Sequence, residues 1–301
     1  MPRTVEARVM TANASRNARP LTAPDVRTRK GSDTPLVMVT AYDAPTARIA
    51  DAADVDMILV GDSVAMVVLG YDDTLQVTID DMAHHVAAVA RAKPRPMIIG
   101  DMPWMSFHVS REAAVENAAR LVRAGASAVK LEGGAKRAEI VRAIVDAEIP
   151  VMGHLGLTPQ SVHALGGFRV QGKELDVARA IVDDATALVD AGCFAIVLEC
   201  VPDAVARVIT DAVPVPTIGI GAGRHCDGQV LVFHDVVGLD DRISPKFVRR
   251  YADLKEDATL AVARFADDVR NGSFPSSNET YHVADDLTEA LGLYGATPAD
   301  A

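Results

Sequence analysis

Aromatic residues are scarce in this chain: seven Phe, five Tyr and one Trp make up 4% of its 301 residues. The core must therefore come from Ala, Val, Ile and Leu, within an apolar fraction of 49%, which suits strands of branched residues packed against Ala-rich helices. Cysteine is also rare. Cys193, Cys200 and Cys226 show no disulfide-framework or zinc-site spacing, as expected of a protein in a reducing, cytoplasmic compartment. No apolar run approaches the ~18 residues of a membrane span. An excess of positive charge is absent too, and a net charge of −11 argues against nucleic acid or an anionic membrane as partner.

What is present is a repeating alternation of short apolar runs and amphipathic helical stretches from Pro35 onward, the signature of a parallel α/β architecture. The expected fold class is a single (β/α)8 TIM barrel over 31–275, with a tail over 276–301. The first 30 residues hold seven Lys/Arg against Glu6 and Asp25. A transit-peptide character is conceivable, but a flexible or loosely docked arm is the favoured reading. Strands are expected at Leu36–Thr40, Met57–Val60, Pro96–Gly100, Ala128–Glu132, Pro150–Gly153, Phe194–Leu198 and Pro216–Ile220. The stretch Gln229–His234 also looks strand-like, yet about eight residues are too few for a parallel crossover after the seventh strand. The expectation is therefore a seventh helix over Gly228–Val237 with Asp227 as N-cap, and an eighth strand at Ile243–Val248. A final helix is expected over Glu256–Arg270, and a short one at Asp285–Leu291.

Strands two to six end in Asp62, Asp101, Glu132, His154 and Glu199. In a parallel barrel the C-terminal strand ends line one rim, so these five converge on a single cavity. Any one alone could be a helix cap or a turn residue. Three carboxylates with no nearby Cys or spaced His pair describe an oxygen-rich site that favours Mg²⁺ over Zn²⁺. His84 and His85 point about 100° apart on a helix and cannot share an ion, so they read as surface or helix-end residues. Lys130 and Glu132 lie two apart and share a strand face. They could be a plain ion pair, an anion site beside a metal, or a Schiff-base lysine with its partner. Gly219, Gly221 and Gly223 could cradle a phosphate or simply let a loop approach a ligand.

Several segments, in order, resemble one family: Val39-Thr40-Ala41-Tyr42-Asp43, Val60-Gly61-Asp62-Ser63, Lys130-Leu131-Glu132-Gly133-Gly134, Gly153-His154-Leu155-Gly156-Leu157-Thr158-Pro159-Gln160-Ser161 and Gly219-Ile220-Gly221-Ala222-Gly223. That family is 3-methyl-2-oxobutanoate (ketopantoate) hydroxymethyltransferase. The resemblance implies transfer of a one-carbon unit from 5,10-methylenetetrahydrofolate to 3-methyl-2-oxobutanoate, giving 2-dehydropantoate, the first committed step of pantothenate and coenzyme A synthesis. It implies Mg²⁺ held by Asp62, Asp101 and Glu132, oxo-acid contacts from Asp62, Ser63, Asp101, Lys130 and His154, and Glu199 as the proton acceptor. It also implies a homo-oligomer, often a decamer. Lys173-Glu174 departs from the family's usual Arg-Gly. A rival with the same metal chemistry is a C–C lyase or mutase of the phosphoenolpyruvate/isocitrate-lyase kind. Such lyases commonly use a loop cysteine, and no cysteine falls in the long loops after strands three, four or five.

Overall fold

The structure, a computed structural model, describes residues 19–167, 169–242 and 245–283. Two compact units meet at Ala252 and Asp253. In the first, eight parallel strands close into a barrel with β1 hydrogen-bonded to β8: β1 (Leu36–Thr40), β2 (Met57–Val60), β3 (Met97–Asp101), β4 (Ala128–Glu132), β5 (Val151–Gly156), β6 (Ala195–Glu199), β7 (Thr217–Ile220) and β8 (Gly228–Leu231). The crossover helices include α2 (Ala44–Ala52), α3 (Val64–Val67), α4 (Ile79–Arg91), α5 (Arg111–Ala124), α6 (Ala138–Asp146), α7 (Val162–Leu165), α8 (Leu175–Asp190) and α9 (Asp203–Ala212), with α10 (Phe233–Val237) after β8. Local chemistry explains their limits. Thr78 and Asp81 form a reciprocal capping box at the start of α4, Ser110 accepts from the Ala113 N–H at the start of α5, and Gly125 closes α5 in the left-handed region.

Period-two alternation sorts the strand residues. Leu36, Met38, Met57, Leu59, Met97, Ile99, Ala128, Met152, Ala195, Val197, Ile218 and Val230 fill the barrel interior. The outward set packs under the helices in a separate and larger cluster. Within the described part of the arm, Ala23–Arg27 forms a short helix, α1, whose Ala23 and Val26 are buried with the barrel interior. Residues 1–18 lie outside the described residues.

The eighth strand is the main correction. Gly228–Leu231 is β8, not a helix, and it pairs in parallel with β7 and β1. The connection Gly221–Asp227 carries no crossover helix. The short strands make this feasible: β7 and β8 are four residues each, and with Ile218 near the start of β7 facing Gly228, the segment has only a short way to return. A Cβ at Gly228 would sit 2.6 Å from the Leu36 carbonyl oxygen, so only glycine lets three strands meet here. Of the expected strand Ile243–Val248, Ile243 and Ser244 lie outside the described residues, and the remainder turns, with the Val248 N–H donating to the Pro245 carbonyl. Asp227 caps no helix. Its carboxylate accepts from the Thr217 and Gly31 N–H groups and pairs with Lys30 at 2.9 Å.

The second unit contains α11 (Leu254–Asn271), ended by Gly272 in the left-handed region. No residue of α11 is buried. The expected helix at Asp285–Leu291 lies outside the described residues. Among the described residues, no helix is long and apolar enough to cross a membrane.

Candidate active site

At the C-terminal barrel end the inward pattern changes from apolar to charged. Asp62, Asp101, Lys130, Glu132 and His154 are 5%, 1%, 3%, 4% and 2% exposed, and Glu199 is partly buried. All six, with Ser63, line one cavity of about 630 Å³, within the size range of small-molecule sites. The barrel register sets their contacts. Asp101 and Lys130 are Cα partners across β3 and β4, and Glu132 and His154 are partners across β4 and β5.

Lys130 Nζ therefore pairs with Asp101 Oδ1 at 2.9 Å, and Glu132 Oε1 lies 3.4 Å from His154 Nδ1. The shared face of Lys130 and Glu132 is confirmed, but each has its close partner on a neighbouring strand. His154 Nε2 is 3.2 Å from Glu199 Oε2. Asp101 Oδ2 accepts from the Asp62 N–H, tying the end of β3 to the turn after β2. Tyr42 OH and Ser63 Oγ are hydrogen-bonded at 2.8 Å.

Three buried carboxylates surround one ammonium. Burial, together with the charges of Asp62 and Glu132, pushes Asp101 up to about 8 despite Lys130. Burial likewise raises Glu132 against its His154 contacts. Burial works to depress Lys130, but Asp101, Glu132 and Asp62 overrule it and hold the amine above its usual range. A Schiff-base role needs a depressed amine, so the electrostatics favour the anion-facing role. Burial and Lys130 act to lower His154, whereas Glu132 and Glu199 carry it up to about 9. Lys130 Nζ also lies 3.2 Å from His154 Nδ1. The neutral ring can accept there, and the imidazolium instead bridges Glu132 and Glu199. In both states Nε2 carries a hydrogen towards Glu199.

The donor set suits a hard cation. Asp101 Oδ1 and Glu132 Oε1 are buried with only the Lys130 and His154 ion-pair contacts, at 2.9 and 3.4 Å, and a cluster with surplus negative charge holds either protons or a cation. Among the described residues, no group of three or more His, Cys, Asp or Glu side chains is placed so that all could hold one metal ion. Mg²⁺ is commonly held by one or two carboxylates, with water and substrate completing its octahedron. The other expectations resolve simply. His85 Nδ1 contacts the Tyr42 carbonyl at 2.7 Å. A Cβ at Gly221 would meet the Phe247 ring at 2.8 Å, which accounts for that glycine by close packing.

Sequence reasoning overlooked Gln160 and the wall around Phe247. Gln160 is 5% exposed and donates to Asp62 and to the Met102 carbonyl. Its signal was its place in the Thr158-Pro159-Gln160-Ser161 segment, directly beyond His154.

The barrel is shared widely. A 2,3-dimethylmalate lyase of the PEP mutase/isocitrate lyase superfamily superposes with a TM-score of 0.57 at 18% identity, covering 91% of this chain and 95% of that one. A phosphonopyruvate hydrolase in complex with oxalate and Mg²⁺ gives 0.56 at 14% identity, covering 90% and 95%. Likeness at that identity shows the fold alone. Burial pushes the Cys193 and Cys200 thiols up to about 12 and about 11, so neither resembles the reactive cysteine of a lyase. Sequence relationships are far stronger in another direction. The chain is 56% identical over 269 residues to 3-methyl-2-oxobutanoate hydroxymethyltransferase of Aeropyrum pernix, covering 89% of this chain and 97% of the relative. It is 53% identical over 271 residues to 3-methyl-2-oxobutanoate hydroxymethyltransferase 2 of Bradyrhizobium diazoefficiens, covering 90% and 92%. Residues 20–277 match the family model of ketopantoate hydroxymethyltransferase, a span that contains all eight strands and every residue of the charged rim, so the chain belongs to the ketopantoate hydroxymethyltransferase family.

Proposed function

We propose that this protein transfers a hydroxymethyl group from 5,10-methylenetetrahydrofolate to 3-methyl-2-oxobutanoate, giving 2-dehydropantoate for pantothenate and coenzyme A synthesis. The observation that carries the reading is the buried Asp62–Asp101–Glu132 cluster around one charged lysine, with Glu199 beside it on the cavity wall. Asp62, Asp101 and Glu132 would hold Mg²⁺, which when bound supplies Lewis-acid polarisation of the oxo acid's carbonyl.

The chain's own residues account for the remaining steps. Lys130, held charged by its carboxylate neighbours, faces the negative charge that develops on the oxo acid. Ser63, held by Tyr42, provides a hydroxyl for the substrate carboxylate. Glu199 accepts the C3 proton, and the electron pair left behind forms the new bond to the one-carbon unit as its bonds to the folate nitrogens break, with water supplying the hydroxyl oxygen and tetrahydrofolate leaving. The His154 Nε2 hydrogen orients the Glu199 carboxylate at 3.2 Å. The cavity, about 630 Å³ with an apolar wall that includes Met66, Val67 and Phe247, has room for a flat second substrate beside the small oxo acid.

A cytoplasmic homo-oligomer, a decamer in the fullest form of this reading, accompanies the proposal. Its support is uncovered apolar surface: Val37 on the outer face of β1 is 48% exposed, and Leu260, Val262, Phe265 and Val269 of α11 are all exposed. Native mass spectrometry should find an assembly of many copies, and a monomer would contradict it. The test of function is formation of ketopantoate from the two substrates with Mg²⁺ titrated into chelator-treated protein. The expected result is folate-dependent and metal-dependent product. Turnover without either would overturn the reading.

A further inference from the structure

We propose that Gln160 is the positioning residue that sets the geometry of the carboxylate site, by fixing one oxygen of Asp62 and one of Glu132 and leaving their other oxygens for a divalent cation. The inference rests on the reading that these carboxylates hold such an ion.

Gln160 stands in the short 3₁₀ turn Pro159–Ser161 after β5, yet its contacts reach the ends of three other strands. Its backbone N–H donates to Glu132 Oε2 at 3.0 Å, at the end of β4. Its side-chain Nε2 donates to Asp62 Oδ2 at 2.9 Å, just beyond β2. The same nitrogen donates to the Met102 carbonyl at 3.0 Å, just beyond β3. The amide orientation follows from chemistry. Both side-chain partners are acceptors, so only the NH₂ end can face them, and a flipped amide would leave two buried acceptors against a third.

The consequence is a division of labour within each acid. Glu132 commits Oε2 to Gln160, while Oε1 is buried with only His154 Nδ1 near it, at 3.4 Å. Asp62 commits Oδ2 in the same way. A carboxylate with one oxygen pinned cannot rotate freely, so its remaining oxygen is held in one direction before a ligand arrives. Outer hydrogen-bond partners of this kind commonly tune metal affinity by roughly 10–100-fold. Gln160 does this for two acids from two strands at once. It has no role in proton transfer, since its donors are all occupied.

A packing role and a positioning role separate on shape. In Q160M the side-chain volume stays and both Nε2 donor contacts vanish. In Q160N the amide stays but retreats by one methylene, beyond reach of Asp62. Binding of Mn²⁺ alone, without either substrate, is read by electron paramagnetic resonance of the free ion in chelator-treated protein, alongside thermal unfolding of the metal-free chain. Positioning predicts Mn²⁺ binding weaker by about 10–100-fold in both variants, at a metal-free unfolding midpoint near that of the wild type. Should Q160M not fold, Q160N gives the same reading. Affinity within twofold of wild type in either variant would overturn the proposal. Absence of Mn²⁺ binding in the wild-type protein would instead remove the metal reading, and the role of Gln160 with it.

Discussion

The two ends of the barrel solve opposite problems with similar residues. At the N-terminal end, Asp227 accepts from the Thr217 N–H and the Gly31 N–H at 2.8 Å each, pairs with Lys30 at 2.9 Å, and has Thr210 and Thr217 bonded to each other close by. Helix α1 buries Ala23 and Val26 against the interior there. At the C-terminal end, Gln160 Oε1 is buried without a partner, and Asp101 Oδ1, Glu132 Oε1 and His154 Nε2 make only ion-pair contacts, with Lys130 at 2.9 Å, His154 Nδ1 at 3.4 Å and Glu199 at 3.2 Å. Among the described residues, the other unpartnered buried atoms belong to Thr74, His108 and His234, none of them in the Asp227 network. A buried charge with matching donors stabilises a fold, and a buried cluster with surplus charge of one sign marks a candidate ligand site. The difference separates a closing end from a working end.

That contrast can be broken from either side. The largest effect is expected at Lys130. K130M keeps the length of the side chain and removes its charge, so turnover should fall by roughly 10²–10³ with the folded structure retained by circular dichroism. Turnover within a few-fold of wild type would place the working charge elsewhere. At the closing end, D227A leaves the Lys30 ammonium and two backbone N–H groups without their acceptor. The expected cost is about 3 kcal/mol, a fall of roughly 6–12 °C in unfolding midpoint, with little change in turnover per folded molecule. The pH dependence has a definite sign. Burial acts to raise Asp227, but hydrogen bonds from Thr217, Gly31 and Lys30 overcome it and lower the acid. Its stabilisation is thus present above the ordinary carboxylate range and is lost as pH falls through the depressed value. The gap between wild type and D227A should close in acid.

The smallest effect is expected at Asp235, a half-buried residue of α10 on the cavity wall. Burial, then the Asp240 charge, pushes it up to about 6 against Arg250. A raised acid binds its proton more tightly in the folded state, so stability falls as pH climbs from the ordinary carboxylate value to about 6. D235N should therefore be more stable than wild type at pH 8 by about 1 kcal/mol after allowance for solvent screening, and indistinguishable from it near pH 4. Equal midpoints at pH 8 would show that the carboxylate is better solvated than its burial suggests.

The working end was legible in the sequence, because it follows from strand periodicity, whereas the closing end was not, since Asp227 read as the N-cap of a helix. Asp62, Asp101, Glu132, His154 and Glu199 each end an apolar run, and one rule about parallel sheets gathers them. What sequence could not give is which charges pair. Lys130 and Glu132 look like partners because they share a face, but barrel register sets Lys130 beside Asp101 and Glu132 beside His154. The eighth strand was missed for a related reason. A rule about crossover length assumes a helix between the strands, whereas β7 and β8 are only four residues each, so an irregular segment spans the return from Ile220 to Gly228. Gln160 was invisible because its contacts, to Asp62 and the Met102 carbonyl, lie 98 and 58 positions away. The docking of α1 was hidden by the basic composition around it, since only Ala23 and Val26 of that helix are buried.

The most direct test of the working end is exchange of the C3 proton of 3-methyl-2-oxobutanoate with solvent, followed by NMR in D₂O with Mg²⁺ present and no folate. Wild-type protein should wash deuterium into C3. The E199Q variant should still bind the oxo acid and the metal but exchange about 10²–10⁴-fold more slowly. Exchange at the wild-type rate in E199Q would contradict the assignment of Glu199 as base, and with it the account of how this end of the barrel works.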